Sequence, residues 1–260
     1  MLSKNKIKFI QSLESKKERN AAGLFVAEGE KLVNEILLSS FETTYLAATC
    51  EWYENNKAIN IGCIPDKDIV SQEELNKVSF LKNPQEVMCL AKLPNHVLSI
   101  TSIKNELSLI LDTIQDPGNL GTILRIADWF GIENIICSRE TVDAFNPKVV
   151  QSTMGAICRV KIHYTDLAEA IAEIKLLNIP IFGTTLHGEN IYKADLATNG
   201  FIMMGNESKG LHPKWLPFLN KQLFIPFYPA DKKRSESLNV AVATAIICSE
   251  FRRRDIITTI

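Results

Sequence analysis

The chain has 260 residues, 46% hydrophobic and 23% charged, with a formal net charge of −1 at pH 7. This composition excludes a disordered or fibrous protein, and the length suits two domains. A net charge near zero gives no chain-wide signature of nucleic-acid binding, so any such role falls to local clusters of cations.

The first cluster opens the chain: Lys4, Lys6, Lys8, Lys16, Lys17 and Arg19 can hold phosphate or, more often for such a cluster, simply be solvated. A basic helix comes first, which Ser3 can cap and whose Ile7, Ile10 and Leu13 share one face. Strands are expected over 24–27, 43–48 and 86–91, and helices over 30–38 and from a cap at Ser71. This alternation predicts a small α/β domain over residues 1–95. A polar linker follows over 96–105. From Leu107 the alternation becomes regular. Strands are expected over 107–111, 134–138, 160–163, 179–184, 201–205 and 223–226. Helices are expected over 120–130, 147–154, from a cap at Thr165, and over 237–251. The continuous apolar run Leu107–Leu111 suits a parallel strand covered on both faces. Residues 106–260 therefore read as an α/β domain with an open parallel sheet, whose ligands would sit beyond the carboxyl ends of its strands.

The six cysteines form no CxxC, and the four histidines stand alone. Reduced, mostly buried thiols in a cytoplasmic protein are expected, with no metal site. The basic N-terminus is followed by no secretory apolar segment, and no apolar run is long enough to span a bilayer. Two later basic clusters, Lys232-Lys233-Arg234 and Arg252-Arg253-Arg254, can hold phosphate or simply be solvated.

Three polar constellations follow strands. The first runs from Asp116-Pro117-Gly118-Asn119 through Gly121 to Arg125, a turn delivering the chain into a helix that Asn119 can cap. A helix N-terminus with an arginine nearby suits phosphate, though an ordinary turn with a solvated arginine fits equally well. The second is Gly205-Asn206-Glu207-Ser208-Lys209-Gly210-Leu211. Leu211 stands where a phosphate loop needs lysine, which rejects a nucleotide triphosphatase. A carboxylate buried among glycines suits hydroxyl groups or a cationic ligand. The third is Ile225-Pro226, a basic stretch, then Ser237-Leu238-Asn239-Val240, in which Ser237 or Asn239 would cap the last helix.

In this order and spacing, N-x-G-x-x-x-R, G-x-E-x-x-G-L and I-P followed by S-L-N-V resemble the three motifs of the SpoU/TrmH family of RNA ribose methyltransferases, in the SPOUT superfamily. The likeness covers about 107–253. A looser likeness in the first domain, carried by Lys16-Lys17, Arg19, Gly23, Phe25 and Glu28-Gly29, is to the family's substrate-binding domain, similar to an RNA-binding ribosomal-protein fold. The resemblance implies a trefoil-knotted C-terminal domain and a homodimer formed through it. It implies transfer of a methyl group from S-adenosylmethionine to a ribose 2′-hydroxyl of RNA, ribosomal RNA being favoured over transfer RNA. Arg125, Asn119, Glu207, Ser237 and Asn239 are the implied catalytic set. Thr184, Thr185, Leu186, Gly205, Asn206, Gly210, Ile225, Pro226, Leu238 and Asn239 are the implied cofactor contacts. One departure stands out: Phe227 to Glu236 is longer than the family's usual segment and lacks its glycine. A catalytically silent RNA-binding protein on the same fold is the alternative, and a missing GxGxxG argues against a dinucleotide enzyme.

Overall fold

The computed structural model describes residues 1–59, 61–229 and 237–258, with side chains described as far as Arg254. The chain forms two compact units, Met1–Asn95 with Asp143–Cys158, and His96–Val142 with Arg159–Ile260.

The first unit contains α1 (Lys4–Ser12), α2 (Lys16–Ala22), β1 (Leu24–Glu28), α3 (Glu30–Leu38), β2 (Thr43–Ala48), α4 (Cys50–Asn55), β3 (Asp66–Ile69), α5 (Gln72–Val78) and β4 (Val87–Lys92). The expected basic helix is α1, and α2 is a second helix beyond it. Ser3 caps α1 by accepting from the Lys6 amide, and Gly23, in the left-handed conformation, closes α2. Ser71 and Glu74 form a capping box on α5. The sheet order is β1-β4-β2-β3, antiparallel except for the β2–β3 pair. Ile10, Leu13, Leu75 and Val78 pack one face onto Val26, Ala47, Met88 and Leu90. Phe25, pointing the other way, packs its ring 5.0 Å from that of Phe145.

Phe145 belongs to Asp143–Cys158, which carries α7 (Pro147–Thr153) and packs with this unit although it lies far along the chain. Arg19 ties it down. The guanidinium is 1% exposed, pairs with Asp143, and donates to the carbonyls of Leu13 (2.8 Å) and Glu14 (2.6 Å). Its cluster suits either phosphate or solvent by sequence; Arg19 faces neither and is a buried structural cation. Replacing it would leave Asp143 unpaired. Arg19→Met is therefore expected to cost about 3 kcal/mol in urea unfolding, and an unchanged midpoint would refute the assignment.

The second unit contains β5 (Leu107–Leu111), α6 (Pro117–Trp129), β6 (Asn134–Ser138), β7 (Lys161–Thr165), α8 (Leu167–Leu176), β8 (Ile181–Asn190), β9 (Gly200–Met204), β10 (Lys221–Phe224) and α9 (Val240–Thr258). Its sheet order is β10-β8-β9-β5-β6-β7, with every pairing parallel. β5, β6 and β9 are buried throughout, as strands covered on both faces require. Leu167, Ile171 and Ile174 of α8 cover one face through Ile110, Ile136, Ile181 and Met203. Phe182 points the other way, its ring 5.0 Å from that of Phe251 on α9. Ile100 and Ile103 join the first of these cores. Asp166, not Thr165, caps α8, because Thr165 is still the last residue of β7.

Cys89, Cys137 and Cys248 are buried, whereas Cys50 and Cys63 are exposed, so burial of the thiols is less general than expected. Among the described residues no helix is long and apolar enough to cross a membrane.

Candidate functional site

A parallel sheet delivers all its strand ends to one edge, so the segments after β5, β8, β9 and β10 meet there. After β5 the chain kinks at Thr113, a β-branched residue at φ 62°. That conformation is strained for threonine, and it is held from three sides. Its amide donates to Ser138 Oγ (3.1 Å), its hydroxyl to Asp112 Oδ1 (3.1 Å), and its carbonyl accepts from Asn206 Nδ2 (2.8 Å).

α6 then begins at Pro117, and its cap is Asp116, whose carboxylate accepts from the Asn119 amide at 2.7 Å. Asn119 was expected to be the cap. The Asp-Pro pair, with proline at the first helical position, is the sequence signal that placed the cap three residues earlier. The displacement matters chemically, because it frees the Asn119 side chain. Its Nδ2 donates to Glu207 Oε1 (3.2 Å), and its Oδ1 accepts from Asn239 Nδ2 (2.8 Å). One asparagine thus joins all three sequence constellations.

Glu207 is half-buried and already engaged. Besides Asn119, its Oε1 accepts from the amides of Gln115 and Asp116, each at 3.3 Å, and its Oε2 from Asn206 Nδ2 at 3.3 Å. The expectation of a buried carboxylate waiting for hydroxyls or a cation gives way to one that clamps the loop before α6. With Asp116 and Glu207 taking those amides, a phosphate at this helix end would depend on Arg125 rather than on the helix terminus alone. Asn206 shapes the second turn, its Oδ1 accepting from the amides of Ser208 (3.0 Å) and Lys209 (3.1 Å). Gly205 is needed because a Cβ there would overlap the backbone of Gly210 and Leu211, and Gly210 itself sits at φ 67°. Trp215 Nε1 donates to Asp112 Oδ2 at 2.9 Å, a tie between the second constellation's flank and the end of β5 that no motif revealed.

Asn239 caps α9, accepting from the amides of Ala241 (2.9 Å) and Val242 (3.3 Å). At the other end, Arg252 donates to the carbonyls of Phe130 (2.7 Å) and Gly131 (3.0 Å). α9 therefore runs parallel to α6 and holds it at both ends, with Arg125 between. Arg253 and Arg254 both engage Glu250, and Arg254 also reaches the carbonyls of Ala194 and Ile191. The last basic cluster is thus committed to the fold rather than to phosphate.

Arg125 itself is exposed and makes no hydrogen bond or ion pair among the described residues. Ser237 is exposed and takes no part in the network. Thr184, Thr185 and Leu186 lie inside the bounds of β8 but outside its ladder: Gly183 pairs with Gln222 and the next pair is Glu189 with Leu223, so the residues between loop outward. Thr184 Oγ1 donates to the Met203 carbonyl at 3.2 Å, fastening this excursion to β9. Ile225 and Pro226, expected within a strand, come just after β10 and are half-buried. Leu186 is 63% exposed and Leu238 50%. The cluster Lys232-Lys233-Arg234 and most of the atypical stretch after Pro226 lie outside the described residues.

Comparisons with known proteins place the chain in a family. The SpoU rRNA Methylase family model matches residues 106–249, and the MRM3-like substrate binding domain model matches residues 4–89. The 23S rRNA (guanosine(2553)-2′-O)-methyltransferase RlmP of Bacillus subtilis is 30% identical over 95% of this chain and 96% of its own length. A solved chain of the TrmH family from Porphyromonas gingivalis is 36% identical, with a TM-score of 0.88 over 98% of this chain and 99% of its own. An rRNA methyltransferase from Sinorhizobium meliloti, solved with AdoMet bound, is 28% identical with a TM-score of 0.85, covering 98% of this chain and 96% of its own. With the three constellations joined through Asn119 and the family model covering most of the second unit, the chain belongs to the SpoU rRNA methylase family.

Proposed function

We propose that this chain is an S-adenosylmethionine-dependent RNA 2′-O-ribose methyltransferase acting on ribosomal RNA. The observation that carries this reading is the chain of hydrogen bonds Asn239–Asn119–Glu207–Asn206, which gathers the polar residues of three distant segments at one sheet edge, with Arg125 two turns into α6, exposed and without a hydrogen bond or ion pair among the described residues. That convergence also speaks against a catalytically silent RNA-binding protein. Named relatives acting on 23S rRNA support ribosomal over transfer RNA.

The residues at the sheet edge fit the cofactor. Gly205 brings backbone close to backbone, and Leu186 and Leu238 present uncovered apolar surface that an adenosine face would cover. Thr184, Thr185, Leu186, Gly205, Asn206, Gly210, Ile225, Pro226, Leu238 and Asn239 would hold it, mainly through backbone groups. When bound, S-adenosylmethionine supplies a methyl group carried on a sulfonium.

The protein's task is to place the ribose hydroxyl in line and help it lose its proton. Arginine stays protonated, so Arg125 is not the base. Its guanidinium holds a substrate phosphate and stabilises the developing alkoxide, while a phosphate oxygen relays the proton to water. Asn119, Glu207 and Asn239 keep the loops in register around the ribose, and Ser237 contacts the substrate from the mouth of α9.

Residues 1–95 serve as the RNA-binding domain, with a ribosomal-protein-like fold, and 106–260 as the methyl-transfer domain apart from Asp143–Cys158, while 96–105, expected as a linker, packs Ile100 and Ile103 into the second unit's core. The family match over 4–89 and the mixed sheet of the first unit support this division. The second domain follows the family's trefoil-knotted path, a reading that rests on the family match over residues 106–249. It pairs with a second copy. Trp129, 85% exposed on α6, and Val242, 50% exposed on α9, are apolar surface that a partner would cover. Bacterial relatives that act on 23S rRNA support a cytoplasmic protein.

Nucleoside mass spectrometry of RNA from cells lacking the gene tests the reading. One 2′-O-methylated nucleoside should disappear from the ribosomal fraction. Loss confined to transfer RNA would move the substrate, and no loss in either fraction would count against the activity.

A further inference from the structure

Arg125 is exposed and has no hydrogen bond or ion pair among the described residues, although an acid stands one helical turn away on the same face. Residues three apart on a helix are neighbours, and helical side chains lean toward the N-terminus, so the carboxylate of Asp128 leans toward Arg125. Left to itself, this pair would close and withdraw the guanidinium from any substrate. It does not close, because Asp128 is engaged from another element. Arg159, just ahead of β7, donates from Nε to Asp128 Oδ1 at 2.8 Å and from Nη2 to Oδ2 at 2.9 Å. A two-point fork of this kind outcompetes a single contact along a helix.

We propose that Arg159 is a positioning residue for the methyl-transfer reaction: by occupying Asp128 it keeps the Arg125 guanidinium available to an RNA phosphate and cancels a carboxylate that would repel that phosphate. The inference rests on the reading of Arg125 given above. A role in stability alone is a poor account of the pair, because its side chains are 49% and 25% exposed and surface pairs contribute little to folding.

The two members of the pair should behave differently on mutation. Initial rates of tritiated methyl transfer are measured with full-length protein on ribosomal RNA from cells lacking the gene. Arg159→Ala is expected to lose about fivefold to tenfold, the equivalent of one weakened charge-assisted contact. Asp128→Asn removes the competing carboxylate and should stay within about twofold of wild type, the range of a neutral surface change. The double variant should recover to the level of Asp128→Asn. Arg159→Gln serves if Arg159→Ala melts early, and it should be rescued the same way.

Impairment of Asp128→Asn to the level of Arg159→Ala would mean that the tie itself matters, and would overturn the inference. So would a double variant as slow as Arg159→Ala, since Arg159 would then touch RNA directly, or an Arg159→Ala enzyme of normal rate. Arg125→Ala in parallel separates the two levels: full activity there sinks the reading of Arg125, whereas loss there without rescue at Asp128 sinks only the role of Arg159.

Discussion

Arg125→Ala is expected to lower methyl transfer by about 100- to 1,000-fold, the loss seen when a preorganised donor to a developing oxyanion is removed. Cofactor affinity and melting temperature should stay at the wild-type level. The side chain is exposed, is bonded to nothing among the described residues, and lies on a helix in which alanine is well tolerated. Arg125→Lys keeps the charge and loses the planar fork, so it should fall between the two. Single-turnover rates with saturating S-adenosylmethionine, set beside calorimetric cofactor affinity, separate chemistry from binding. A lysine enzyme as fast as wild type would show that only a point charge is needed. An alanine enzyme as fast as wild type would remove Arg125 from the mechanism.

Glu207→Ala is the second large effect, and it should differ in kind. This carboxylate accepts from the amides of Gln115 and Asp116 and from the side chains of Asn119 and Asn206. Its removal leaves those donors without an acceptor and costs on the order of 2 kcal/mol, the contribution of bonds to a charged group discounted for partial exposure. The melting temperature should therefore fall, unlike that of Arg125→Ala. The loop before α6 would also relax, and a shift of about 1 Å at a reacting centre can cost about 100-fold in rate. Glu207→Gln keeps one acceptor oxygen but turns an amide toward donors, so it should recover stability only in part. Unchanged stability in Glu207→Ala would refute the clamp. Unchanged rate with lowered stability would leave Glu207 a purely structural group.

Most of the second unit was legible in the sequence because its strands are buried on both faces and read as unbroken apolar runs. Leu107–Leu111 and Asn134–Ser138 fall where expected. β3 was not anticipated: Asp66–Ile69 carries two aspartates at a sheet edge, and an exposed edge strand has no apolar alternation to betray it. Nor does sequence reveal that Asp143–Cys158 packs with the first unit, because the Arg19–Asp143 pair that holds it joins residues 124 apart. In the site, the three constellations contain Asn119, Asn206, Glu207 and Asn239, whereas Ser138 and Trp215, which hold the end of β5, carry no sequence signal. Spacing did not assign the partners. Asp116 rather than Asn119 caps α6, so a side chain read as a helix cap became the junction of three loops. The same ambiguity affected the arginines. A run of like charges cannot show that Arg252 binds the carbonyls at the end of α6 while Arg125 stays open.

The most direct test of the central claim is transfer of a tritiated methyl group from S-adenosylmethionine to ribosomal RNA from cells lacking the gene, by the purified full-length protein, with the product digested to nucleosides. The account predicts label in a single 2′-O-methylated nucleoside, entering about 100- to 1,000-fold more slowly in Arg125→Ala. Label on a base rather than a ribose, or cofactor bound without any transfer to ribosomal or transfer RNA, would contradict it.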